Sequence, residues 1–185
     1  MSQAIDKEMY EVFRKELELG KVRPGEVVVV LSGGLEWQDY AQTFMVVAQD
    51  LGASAFHVNV PRRTGPVAGV QGRHPLVGNQ AAIDTLKRAD MVIDLLGLLF
   101  SREQAEIQAA GARVLRVMEP FHVLKQMFPS EDLRRRVEYA RAMLASAKEL
   151  RFTSAGGTEM RYGLGRYPVI SEYGYTDEPG RWDHF

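Results

Sequence analysis

Five consecutive apolar residues, Val27-Val28-Val29-Val30-Leu31, constrain this chain more than any other stretch. Four of the five are β-branched, so the run favours a strand over a helix. The apolar character does not alternate, so both faces of the strand must be covered, as in a parallel sheet. Ser32-Gly33-Gly34 breaks the strand, which is expected over residues 26–31. A helical period then runs through Trp37, Tyr40, Phe44, Val47 and Leu51, with Gly52 as its stop. Strands are expected again over residues 54–60, 90–95 and 113–117, with helices over 80–89 and 103–110 between them; Ser101 caps the second and Gly111 closes it. This strand–helix alternation predicts an α/β fold: a parallel β-sheet of about four or five strands flanked by helices.

The flanks are of two kinds. Ile5, Met9, Tyr10, Phe13 and Leu17 place a helix before the first strand, ended by Gly20 and Pro24. After Pro120 a short helix carries Val123, Leu124 and Met127, and Pro129-Ser130-Glu131-Asp132 opens a long one. Leu133, Val137, Ala140 and Leu144 are its expected buried stripe. The tail is different, with six Gly, four Tyr and one Trp from Gly156 onward. Short strands are expected at 150–154, 159–162 and 167–172, a β-rich C-terminal extension. The domain reading is therefore an α/β domain over 1–149 and a β-rich tail over 150–185 leading into a further domain. The segment 61–78 holds three Pro, four Gly, three Arg and His74, and a loop of that length is usually functional.

Composition narrows the function. With 185 residues and 45% apolar content the chain can build a core without disulfides or metal. A net charge of −1 provides no field for nucleic acid or an anionic membrane. There is no cysteine, so thiolate ligands and cysteine nucleophiles are excluded. The start of the chain lacks a basic stretch followed by an apolar run, and no apolar run is long enough to span a bilayer. A cytoplasmic protein is the expectation.

Several residues could carry chemistry. Ser32-Gly33-Gly34 at a strand-to-helix junction could hold an anion on backbone N–H groups, or be only a tight turn. It matches neither a dinucleotide fingerprint nor a P-loop. The four histidines, His57, His74, His122 and His184, form no close pair. His57 alternates with Ala55 and Asn59 and reads as a structural histidine. Asp94 ends the third strand and Glu119 follows the fourth, where burial can shift a carboxyl's pKa; a helix cap or a loop hydrogen bond is the alternative. Arg134, Arg135 and Arg136 with Arg141 read as a solvated helix face. The densest stretch runs from Tyr173 to His184, where aromatic faces, Arg181, Asp183 and His184 could contact a ligand around a Pro-Gly turn. A domain-closing loop with Trp182 in the core is the equal alternative.

Glu172-Tyr173-Gly174-Tyr175 with Glu178-Pro179-Gly180-Arg181-Trp182-Asp183-His184 resembles the 2,5-dihydroxypyridine 5,6-dioxygenases, bacterial enzymes of nicotinic acid breakdown related in fold to thermophilic-type leucyl aminopeptidases. Residues 98–103, Met118-Glu119-Pro120 and Thr153-Ser154-Ala155-Gly156 are similar to the same family. The resemblance covers essentially the whole chain and corresponds to the front half of such an enzyme. It implies a mononuclear non-haem Fe(II) enzyme that opens the ring with O2 to give N-formylmaleamic acid. A two-His-one-carboxylate set would hold the iron, and the resemblance places it in the second half, so no residue here is a metal ligand. It implies His184 as the catalytic acid/base or orienting residue. Leu99, Phe100, Tyr175, Arg181, Trp182 and Asp183 are the substrate-binding candidates. A histidine stands in the family's pattern where this chain has Phe100, which cannot transfer a proton. The implied partners are a C-terminal domain or second subunit and a small aromatic substrate, and a homo-oligomer is expected. The alternatives are the front domain of a leucyl aminopeptidase-like enzyme and a non-enzymatic α/β module that binds a ligand or subunit.

Overall fold

The computed structural model describes residues 5–61 and 75–185. Within these, helix α1 (Lys7–Leu19) starts where the Asp6 carboxylate accepts the Met9 N–H. Strand β1 (Val27–Gly33) follows and is fully buried after its first residue, as an uninterrupted apolar run requires. Helix α2 (Gln38–Asp50) returns the chain to β2 (Ser54–Val60), an edge strand with only its last residue buried. Helix α3 (Gln80–Leu86) leads to β3 (Met91–Asp94), and α4 (Arg102–Ala109) leads to β4 (Arg113–Arg116). Ser101 caps α4 as expected, its hydroxyl accepting the Gln104 N–H.

The sheet order is β2-β1-β3-β4-β7, with every pair parallel. Its fifth strand is β7 (Trp182–His184), which pairs with β4 so that Val114, Leu115 and Arg116 face Trp182, Asp183 and His184. The end of the expected β-rich tail is thus part of the main sheet. Two buried clusters cover the two sheet faces. One joins α1 and α2 to Val28, Val30, Ile93 and Leu115, and there Phe13 stacks on Phe44 at 3.9 Å. The other joins Val29, Leu31, Val92 and Val114 to Leu86 and Ile107 of α3 and α4.

The described chain divides into two compact units, Met1–Phe128 with Gly174–Phe185, and Pro129–Tyr173. The expected boundary at 149/150 falls inside the second unit, because the long helix belongs with the hairpin and β7 with the sheet. The first unit also holds the short helix α5 (Phe121–Gln126). The second contains α6 (Glu131–Ser146) and a hairpin of β5 (Glu149–Thr153) and β6 (Glu159–Gly163). Two expectations change here, and a third lies largely outside the described residues. The helix α6 has no fully buried residue; Leu133, Val137 and Leu144 are half-buried and Ala140 is exposed. No strand forms over 167–172, where Pro168 removes a ladder donor. The loop expectation at 61–78 falls largely outside the described residues, as does His74.

Candidate active site at the sheet's C-terminal edge

In an open parallel sheet, ligands bind beyond the carboxyl ends of the strands. Here β3, β4 and β7 end on Asp94, Arg116 and His184, which lie side by side in register. Side chains in register on adjacent parallel strands share a face, so all three belong to the α3/α4 side of the sheet.

Asp94 shapes the loop that follows it. Its carboxylate is 1% exposed and accepts three N–H groups, from Leu96 (2.9 Å), Gly97 (2.9 Å) and Leu98 (2.7 Å). Burial pushes the carboxyl above its ordinary pKa, opposed by those three donors and by the nearby Arg116 guanidinium. Gly97 takes φ +89°, and a Cβ there would meet the Met118 Sδ at 3.2 Å, so the turn needs glycine. The loop then presents Leu99, 37% exposed, and Phe100, 68% exposed. Phe100 has φ 57°, an unfavourable backbone for an aromatic residue, and its N–H donates to the buried Gln104 side chain at 2.8 Å. Its ring meets Trp182 edge-on, centroids 5.3 Å apart and planes at 84°.

His184 follows Trp182 by two residues on β7, on the same sheet face, and Arg116 is its register partner on β4. The His184 Nε2 is buried without a hydrogen-bond partner, and the Glu119 Oε1 lies 3.9 Å away, beyond hydrogen-bond range. Glu119 is held from behind by Tyr40, whose hydroxyl donates to its carbonyl at 3.0 Å. Burial, with the Asp39 and Glu119 charges, pushes the Tyr40 phenol up to about 12, so it remains a donor. The Arg116 Nε is also buried without a partner.

Two of the expected substrate contacts face inward. Asp183 is fully buried, and its carboxylate accepts the N–H groups of Gly174 (2.8 Å) and His184 (2.9 Å) and the Arg181 guanidinium (3.3 Å). Tyr175 is 2% exposed. Arg181 is half-buried, and its carbonyl accepts the Val114 N–H at 2.9 Å, which starts the β4–β7 pairing. Arg181 and Asp183 build the strand that carries Trp182 and His184, while Tyr175 is packed inside. The structure therefore brings Phe100 against Trp182, with Leu99 on the same loop and His184 two residues after Trp182 on β7. Arg116 was missed by the sequence reading. Its signal was an arginine closing a strand whose other three residues are buried.

The other candidates have structural partners. Ser32 Oγ and His57 Nε2 lie 2.7 Å apart, and Asn59 donates to Ser32 Oγ (3.2 Å) and to the Gly34 carbonyl (2.6 Å). Burial lowers the His57 pKa, which favours the neutral ring. The Gly34 N–H donates to the Val60 carbonyl, so it is not available to an anion. His122 is exposed on α5. Arg135 and Arg136 pair with Asp132 on the surface of α6.

The iron that the resemblance implies does not fit the described residues. No three of their His, Asp or Glu side chains converge on one point, and Glu119 with His184 gives only two donors. No helix among the described residues is long and apolar enough to cross a membrane.

A doubly wound α/β unit has its usual ligand side at the strands' carboxyl ends, where this chain carries aromatic and basic residues. The family model for 2,5-dihydroxypyridine 5,6-dioxygenase matches residues 8–185, and the chain belongs to that family. It is 38% identical over 184 residues to a 2,5-dihydroxypyridine 5,6-dioxygenase of Pseudomonas putida strain KT2440. That alignment takes in 96% of this chain and 53% of the relative. A solved structure of 2,5-dihydroxypyridine dioxygenase from the same strain superposes with a TM-score of 0.90 at 38% identity, covering 95% of this chain and 52% of that one. The chain thus spans about half the length of the curated relative it matches.

Proposed function

We propose that this chain is the substrate-holding part of a 2,5-dihydroxypyridine 5,6-dioxygenase-like ring-cleaving enzyme of nicotinate degradation. The observation that carries the reading is the Phe100–Trp182 pair with an unpartnered His184 Nε2 two residues after Trp182 on β7, in a member of a family named for that reaction. A flat heteroaromatic ring suits an edge-to-face aromatic wall. An imidazole nitrogen without a protein partner can accept or return a ring-hydroxyl proton. Both atoms of O2 enter the product, since dihydroxypyridine and O2 together have the composition of N-formylmaleamic acid.

A non-haem Fe(II) would supply the oxygen chemistry when bound. In this reading its ligands come from a C-terminal domain or a second subunit, because the described residues do not form a metal site. The test is O2 uptake with 2,5-dihydroxypyridine and Fe(II), using the chain alone and then mixed with the half of the Pseudomonas putida relative that it does not span. Uptake only in the mixture, reduced at least about tenfold by His184→Gln, is the expected result. No uptake in either case removes the catalytic reading. Phe100 favours a second one, a binding module without turnover, since a phenyl ring transfers no proton. Ring binding without uptake in the mixture would support it.

A further inference from the structure

We infer that Arg116 and His184 together form an anion subsite that holds one ionised ring oxygen of an aromatic ligand. The inference rests on the reading above for the site's location and adds a residue and a charge state to it. Three observations converge.

The first is placement. Arg116 and His184 are register partners on β4 and β7, so their side chains leave the same sheet face from strands about 5 Å apart. The second is lack of satisfaction. The Arg116 Nε and His184 Nε2 are both buried without a hydrogen-bond partner. A buried guanidinium N–H left unpaired is costly, and an anionic oxygen is its best acceptor.

The third is the neighbouring charge. Asp94 is the carboxylate next in register and would be the obvious partner for Arg116. Its oxygens are already bonded to the Leu96, Gly97 and Leu98 N–H groups. Asp94 thus lends Arg116 a counter-charge without occupying its donors. Glu119 stands 3.9 Å from His184 rather than bonded to it. Both nitrogens are thus left without a protein partner on the sheet face that also carries Trp182, against which Phe100 packs. A ring lying against that wall would bring an oxygen substituent to both nitrogens. The ligand class is a planar hydroxy-aromatic bound as its monoanion.

The experiment is equilibrium binding to the full chain, with Arg116→Gln and Arg116→Lys as variants. The probes are 4-nitrocatechol, whose phenolate is followed by absorbance, 2,5-dihydroxypyridine, and uncharged 3-methoxypyridine. Circular dichroism and thermal unfolding monitor the fold. We expect Arg116→Gln to weaken both hydroxy-aromatics by about tenfold or more and 3-methoxypyridine by less than about twofold. Arg116→Lys should recover part of the loss, since it keeps the charge but not the planar fork. Wild-type affinity for 4-nitrocatechol should rise with pH as the probe ionises, a slope that Arg116→Gln flattens. If Arg116→Gln does not fold, Arg116→Lys and the wild-type pH slope decide.

Equal losses for charged and uncharged probes, or a flat wild-type slope, overturn the inference. So does failure of the wild type to bind either hydroxy-aromatic at millimolar concentration. Binding of 2,5-dihydroxypyridine that ignores both substitutions overturns it while the proposed function stands. Arg116-dependent binding of 4-nitrocatechol without 2,5-dihydroxypyridine does the reverse.

Discussion

Two carboxyl groups are buried on the α1 side of the sheet, and they are treated differently. Asp183 is surrounded by donors, whereas neither oxygen of Glu16 on α1 has a partner. Burial, and secondarily the Asp183 charge, pushes Glu16 well above its ordinary pKa of 4.5. The folded chain therefore keeps a proton that the unfolded chain has already released. Glu16's contribution to stability is complete below pH 4.5 and is lost as pH rises toward the raised folded value. Replacing it with a thioether of similar length removes both the proton and the desolvation. Glu16→Met should stabilise the fold by roughly 1–3 kcal/mol at pH 8 and by less at pH 5. Thermal unfolding at the two pH values measures this, and an equal gain at both would refute the assignment. Glu16 was visible in principle, because it lies three residues beyond Phe13 on the apolar stripe of α1. Side-chain spacing locates such a residue, but only the packing of β7 against that face reveals that nothing answers it.

At the scale of elements, a segment was legible when its own residues determined its state. The unbroken valine run could only be a buried strand, and Ser101 and Ser130 both cap helices by their side-chain oxygens. β7 was not legible, since three residues gain strand geometry only from pairing with β4. The same pairing turned Asp183 to the opposite face from Trp182 and His184, so the tail motif divided between the two faces of the sheet. The loop after β3 is the element on which the site most depends. Asp94 ties three successive N–H groups and so fixes where Leu99 and Phe100 emerge. Asp94→Asn removes the charge and turns an NH2 toward those donors. A destabilisation of about 2–4 kcal/mol is expected, since hydrogen bonds to charged groups are the strong ones. Freed from its tie, Phe100 should also leave Trp182. The emission of Trp182, isolated by Trp37→Phe, should become more accessible to acrylamide below the unfolding temperature. Unchanged quenching would show that Gln104 alone holds the loop.

For the molecule as a whole, the second unit poses the remaining problem. Its hairpin pairs Leu150 with Tyr162 and Phe152 with Met160, so all four apolar side chains share one face. On the other face Arg151 and Arg161 bridge Glu149 and Glu159. The apolar four are 43%, 46%, 52% and 41% exposed in that order. Taking ~200 Å² for a large side chain, they leave on the order of 400 Å² of apolar face uncovered. A two-stranded hairpin is marginal by itself, and patches of that size on a single domain are commonly contact sites. A standard interface needs about 800 Å² from each partner, so this face supports a weak association rather than an obligate one. With a net charge of −1, copies of the chain repel one another little. The expectation is therefore a reversible, concentration-dependent dimer through the hairpin face. Sedimentation velocity over a wide concentration range should show it for the wild type. The double substitution Phe152→Asp and Tyr162→Asp should abolish it while leaving the first unit's unfolding transition in place, because no residue of the five-stranded sheet or of its two buried clusters is altered. A wild type that stays monomeric at every concentration would assign the hairpin's cover to a different polypeptide.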